Sequence, residues 1–188
     1  MKHSLAGLTF IGHISVDHVE TRYGTNTQPG GAALHAAIAA RTIISDVLLV
    51  SVIGEDYPYM EVLRFFPKNH IKTSRMPSTR FRIQYDEKWE AKYLEASYGA
   101  GTRISTSTIS RSALRPNSIV HLSPLPPVKV ERIVDKIRSL SPKTEISLNA
   151  WIGYLKTRRN RRILRDLTHK VCLLYTSDAA DDLDGVDL

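Results

Sequence analysis

Gln28-Pro29-Gly30-Gly31-Ala32-Ala33-Leu34-His35-Ala36-Ala37-Ile38-Ala39-Ala40-Arg41 is the stretch on which the reading of this chain turns. Alanine has the highest helix propensity, so residues 32–41 are expected to be helical. Gly30 and Gly31 stand at the entrance of that helix, where the absence of a Cβ permits a sharp turn and a close approach. The first-turn N–H groups of a helix lack intrahelical partners and can donate to a ligand's oxygens. A tight loop-to-helix junction with no ligand is the plain alternative for these residues taken alone.

The flanks weigh against that alternative. Leu8-Thr9-Phe10-Ile11-Gly12-His13-Ile14-Ser15-Val16-Asp17 reads as an apolar strand ending in a lone carboxylate. Asp46-Val47-Leu48-Leu49-Val50-Ser51-Val52-Ile53-Gly54-Glu55-Asp56 reads as a second buried strand ending in glycine and acids. Strand, glycine turn, helix and strand make a βαβ unit. Three features in this order resemble the ribokinase-like (PfkB-type) kinases: Gly12-x-x-x-x-Asp17, the Gly30-Gly31 helix start, and Gly54-x-Asp56. The resemblance runs over roughly Leu5 to Val171. It implies an α/β fold, an open three-layer sheet with helices on both faces and a small β lid. It also implies ATP-dependent phosphorylation of a hydroxyl on a sugar, polyol or nucleoside, with ATP and Mg as cofactors.

By the same resemblance, Asp17 accepts hydrogen bonds from substrate hydroxyls and the Gly30 and Gly31 amides donate them. His35 stands where the family commonly has Asn, and Ser15 where ribokinases often have Asn, so ribose itself is not implied. These five residues are the candidate substrate-binding set. The family's base is the Asp of a Gly-Ala-Gly-Asp motif, which this sequence lacks. The expectation is therefore a substrate-side portion without catalytic activity of its own. Tyr98-Gly99-Ala100-Gly101 is no substitute, because no strand leads directly into it and no amphipathic helix follows.

The rest of the chain reads as follows. Strand one is expected from Leu5 to Ser15. Residues 16–27 are extended with a turn at Tyr23-Gly24-Thr25-Asn26. A helix is expected from Asp56 to Phe66, ended by Pro67. A short extended piece follows at Ile71 to Met76. Strict alternation over Thr79–Tyr85, a turn at Asp86-Glu87-Lys88 and a return over Trp89–Ala96 make a hairpin with one wet face. With residues 16–27, it supplies the lid that the resemblance implies. Ser97 to Pro116 reads as loop and Ser118 to Leu122 as core strand. Pro127 suits a helix start, with Val130, Ile133, Val134 and Ile137 on one face. Glu145 to Leu148 is the next strand.

The chain has 188 residues, 42% hydrophobic and 24% charged, which fits one globular domain with a sizeable core. No apolar run is long enough to span a bilayer, and the start leads into a strand rather than a signal sequence. The sole cysteine, Cys172, excludes an internal disulfide and fits a reducing, cytoplasmic compartment. The net charge is +7. Arg158, Arg159, Arg161, Arg162 and Arg165 suggest a nucleic-acid patch, but Ile163, Leu164 and Leu167 fall at helical spacing and no aromatics interleave. A solvated helix face is the expected reading, with neither nucleic acid nor membrane as partner. The resemblance also allows a homodimer through the lid sheet. The rival class is a non-enzymatic α/β ligand- or nucleic-acid-binding protein. A dinucleotide oxidoreductase ranks last, since no Gly-x-Gly-x-x-Gly follows strand one.

From Cys172 the composition changes. Residues 172–181 are what TGT CTC TTA TAC ACA TCT GAC GCT GCC GAC would encode, which resembles a transposon-based sequencing-library adapter. Gly185-Val186-Asp187-Leu188 fits its continuation. Residues 172–188 are therefore expected to be a non-native, poorly packed tail, with 1–171 a truncated domain. The tail holds five acids and no lysine or arginine, so without it the net charge is +12.

Overall fold

A computed structural model describes residues 7–115 and 118–177. The expected strand start at Leu5, the loop end at Pro116 and the acidic residues 178–188 lie outside the described residues. Among the described residues there are ten strands, in two sheets, with four α-helices and several 3-10 turns. The larger sheet is parallel throughout and has six strands. They are β1 (Leu8–Ile11), β4 (Val47–Gly54), β5 (Ile71–Ser74), β8 (Ile119–Leu122), β9 (Glu145–Trp151) and β10 (Leu173–Ser177), in the order β10-β9-β8-β1-β4-β5. The smaller sheet holds β2 (Ser15–Thr21), β3 (Gly24–Gly30), β6 (Thr79–Tyr85) and β7 (Ala91–Ser97), in the order β3-β2-β6-β7.

Successive strand residues point to opposite faces, so the large sheet separates two cores. Phe10, Val47 and Leu49 pack with Ala33, Leu34 and Ala37 of α1 (Ala32–Arg41) on one face. Ile11, Val50, Val120 and Leu122 pack on the other face. They meet Val130, Ile133, Val134 and Ile137 of α3 (Pro127–Leu140) and Leu164 and Leu167 of α4 (Arg158–Thr168). Both sides of β4 are covered, and all eight of its residues are buried. Each fully buried Ile or Leu contributes ~1.5–3 kcal/mol relative to exposure. Arg158, Arg159, Arg162 and Arg165 of α4 are exposed, as expected of a solvated face. No helix among the described residues is long and apolar enough to cross a membrane.

The structure corrects four expectations. First, the strand expected from Leu5 to Ser15 is two strands in different sheets. The chain leaves the large sheet at Gly12, where an added Cβ would sit 2.7 Å from the Ser123 Cβ, and enters the small sheet at Ser15. Second, the helix expected over 56–66 shrinks to α2 (Met60–Leu63). Pro58 disfavours the α conformation at Tyr57, and the Tyr57 N–H bonds the Gly54 carbonyl at 3.2 Å. Leu63 and Phe66 are buried, whereas Met60 and Phe65 are exposed.

Third, residues 97–115, read as loop, bury Ala100, Ile104, Ile109, Ala113 and Leu114 in the core through three short 3-10 turns. Fourth, residues 173–177, expected to pack poorly, form the edge strand β10 beside β9. The Cys172 N–H bonds the Ile146 carbonyl at 2.7 Å and Leu174 packs on the core, while Leu173 and Tyr175 stay exposed. Backbone pairing at a sheet edge asks little of side chains beyond strand compatibility.

Candidate functional site

The two sheets and the start of α1 enclose a cavity of about 370 Å³. On its polar side are Asp17, Gln28, Gly31 and His35. Asp17 lies in the middle of the small sheet, paired with Gln28 on one side and Phe81 on the other. It is 8% exposed, and the buried Ser15 Oγ donates to its Oδ1 at 2.6 Å. Burial pushes the Asp17 carboxyl above its ordinary value; the Ser15 hydrogen bond and His35 act in the opposite direction.

The two glycines have different reasons. A Cβ on Gly30 would fall inside the Asp17 carboxylate. Gly31 has φ +103°, a left-handed conformation, and a Cβ there would strike the His13 carbonyl. Gly31 caps α1 with no side-chain hydrogen bond, so the first N–H groups of the helix stay without intrahelical partners. The structure thus brings Asp17, Gly31 and His35 to one cavity. Ser15 and Gly30 do not line it: Ser15 orients the carboxylate, and Gly30 makes room for it.

The other side of the cavity is aromatic, and sequence reasoning missed it. Phe81 and Tyr93 come from β6 and β7, Tyr98 from the segment after β7, Trp151 from the end of β9 and Tyr154 from the 3-10 turn that follows it. Their rings meet in a closed circuit. The centroid distances are 5.8 Å for Phe81–Tyr93, 5.9 Å for Tyr93–Trp151, 5.1 Å for Trp151–Tyr154, 6.4 Å for Tyr154–Tyr98 and 5.8 Å for Tyr98–Phe81. Alternation in the hairpin pointed to a common face for Phe81, Ile83 and Tyr85. Nothing local joined that face to Trp151.

His13 was also missed. It is buried against Tyr98 at 5.5 Å, and burial, aided by the Lys129 charge, lowers its pKa to about 4. His13 is therefore neutral near pH 7. Its Nδ1, the Ser123 Oγ and the Asn149 Oδ1 are buried atoms of cavity-lining residues with no hydrogen-bond partner among the described residues. Gly101 packs against the Nδ1 side of the His13 ring: a Cβ there would run into it. Asp56, the acid of Gly54-x-Asp56, serves the small sheet rather than the cavity. It accepts from the Ser78 N–H at 2.7 Å, the Ser78 Oγ at 2.8 Å and Arg80 at 2.8 Å, which tie β4 to the start of β6. The Arg80 hydrogen bond, chiefly, holds its carboxyl down at about 2.

No group of three His, Cys, Asp or Glu able to hold a metal ion occurs among the described residues. Among the described residues, no lysine or arginine lines the cavity, so its walls offer no side-chain cation to a phosphate.

No family model matches the sequence, and no curated protein matches it. Solved structures do. A Burkholderia thailandensis nucleoside kinase in complex with inosine is 12% identical, with TM-score 0.73 over 90% of this chain and 60% of that one. A PfkB protein from Polaromonas sp. JS666 is 15% identical, with TM-score 0.71 over 90% and 65%. A Cryptococcus neoformans ribokinase in complex with ADP is 16% identical, with TM-score 0.72 over 90% and 57%. The chain spans about three fifths of the length of these structures. What it shares with them, in strand order and helix placement, is the ribokinase-like fold.

Proposed function

We propose that this chain is the substrate-side portion of a ribokinase-like kinase that phosphorylates a hydroxyl of a sugar, polyol or nucleoside. The observation that carries the reading is Asp17: a buried carboxylate, oriented by Ser15, that shares one cavity with the start of α1 and His35. A carboxylate accepts from two hydroxyls at once, and the N–H groups at Gly31 and Ala32, which have no intrahelical partner, donate back. His35, one turn into α1, takes a further hydroxyl. The small sheet covers these groups and excludes water, which strengthens each hydrogen bond.

ATP with Mg²⁺ as donor comes with the fold likeness, and no residue of this chain is assigned to it. No base is assigned either, since the sequence has no Gly-Ala-Gly-Asp. Phosphoryl transfer depends on positioning and charge stabilisation, so this chain alone should bind substrate without turning it over. A cytoplasmic location and dimerisation through the small sheet accompany this reading.

The test is calorimetric binding and ATP consumption with the full chain across a panel of sugars, polyols and nucleosides. The expected result is saturable binding of at least one compound, lost in Asp17→Asn, with no substrate-dependent ATP use. Failure of every compound to bind would overturn the reading, and substrate-dependent turnover would overturn the inactivity.

A further inference from the structure

We infer that the ligand of this cavity carries a flat aromatic group, which makes it a nucleoside rather than a bare sugar or polyol. This rests on the reading of the cavity as a substrate site. A ligand built only of hydroxyl-bearing carbons needs polar partners on all sides, because a buried unpaired hydroxyl is costly. The polar side supplies them. The opposite side presents Phe81, Tyr93, Tyr98, Trp151 and Tyr154, joined ring to ring. The Tyr154 hydroxyl, kept un-ionised chiefly by burial and further by Tyr98, brings no charge to that wall. That wall offers π surface, and a nucleobase stacks on π surface whatever its identity.

An unpartnered atom agrees with this. Asn149 and Trp151, two residues apart on β9, share a face of the strand. The buried Asn149 Oδ1 lacks a partner among the described residues. The edge of a heterocyclic base carries N–H donors in the plane of the ring, which is what such an acceptor beside a stacking wall can meet. His13 is neutral near pH 7, and among the described residues no lysine or arginine lines the cavity, so an uncharged heterocycle fits better than an anionic group. Lys129, close enough for its charge to be felt at His13, disfavours a cation in the aromatic circuit. The cavity volume of about 370 Å³ falls within the ~300–1,000 Å³ range of small-molecule sites. The sugar of the nucleoside then lies on Asp17 and the start of α1, and its base on the aromatic wall.

The experiment is calorimetry of the full chain with inosine, adenosine and ribose, on the wild type and on Trp151→Leu, Phe81→Leu and Asp17→Asn. The expected result is that both nucleosides bind at least tenfold more tightly than ribose. Trp151→Leu should weaken the nucleosides about tenfold, the scale of one stacking contact, and leave ribose unchanged. Asp17→Asn should weaken all three. If Trp151→Leu does not show a cooperative melt, Phe81→Leu reads the same circuit from the small sheet. Ribose binding as tightly as the nucleosides, or an equal loss for all three in both aromatic variants, overturns this inference. The hydroxyl-binding reading survives that outcome as long as Asp17→Asn still weakens ribose. No effect of Asp17→Asn, or no binding of any of the three, overturns both.

Discussion

Replacing Gly30 by alanine isolates the contact on which the polar side of the cavity depends. Gly30 ends β3 and is not among the glycines with positive φ, so alanine meets no backbone penalty there. By itself the substitution would stabilise by ~0.4–1 kcal/mol, through the unfolded chain. The new methyl, however, falls inside the Asp17 carboxylate. Overpacking of this kind costs ~1–3 kcal/mol. Rotating the carboxylate away also breaks the 2.6 Å bond from Ser15, a hydrogen bond to a charged acceptor worth ~1.5–3 kcal/mol. The net loss should be about 2–4 kcal/mol, and at ~2–4 °C per kcal/mol for a chain of this size the melting temperature should fall by about 5–15 °C. In an Asp17→Ala background the three nearest atoms in collision, the Asp17 Cγ and both carboxylate oxygens, are gone. Gly30→Ala should then be neutral or stabilising by up to ~1 kcal/mol. Urea unfolding of the four proteins gives the coupling energy directly. An equal cost of Gly30→Ala in both backgrounds would refute the argument that Gly30 exists to make room for Asp17.

Three further outcomes are expected. His13 takes a proton near 6.5 in the unfolded chain and only near 4 in the folded one, so the unfolded chain binds more protons in between. Stability should fall as pH drops from 6.5 to 4, by up to about 3 kcal/mol from this residue, and His13→Gln should remove that part of the slope. An unchanged slope in the variant, measured by urea unfolding at several pH values, would contradict the burial of a neutral ring. Asp56→Ala leaves the buried Ser78 N–H unpaired and should cost ~1–3 kcal/mol. Hydrogen exchange should speed up at residues 78–81 and not in α3; uniform acceleration would argue against a local clamp. Removing residues 172–188 should lower the melting temperature by about 3–6 °C, because β9 loses its partner strand and the core the contacts of the half-buried Leu174. No change would mean that β10 contributes nothing to the fold.

The amino-acid sequence by itself determined the elements whose signal is short-range. The alanine run gave α1 at its observed bounds, continuous apolarity gave β4, strict alternation gave β6 and β7, and apolar spacing gave α3 and α4. Asp17, Gly31 and His35 were legible in another way, through motifs that resemble those of the ribokinase-like kinases, and not from periodicity. Periodicity states which side of an element is buried but not what buries it, and the tertiary structure alone decided that. It divided the first apolar run between two sheets, drew residues 97–115 into the core, and made Asp56 a clamp on β6. It also assembled the aromatic wall. Phe81 and Trp151 stand in different sheets, and their meeting depends on how the smaller sheet folds over the larger. That packing is set by the sum of many weak side-chain contacts between distant segments, which leaves no pattern within a window of residues.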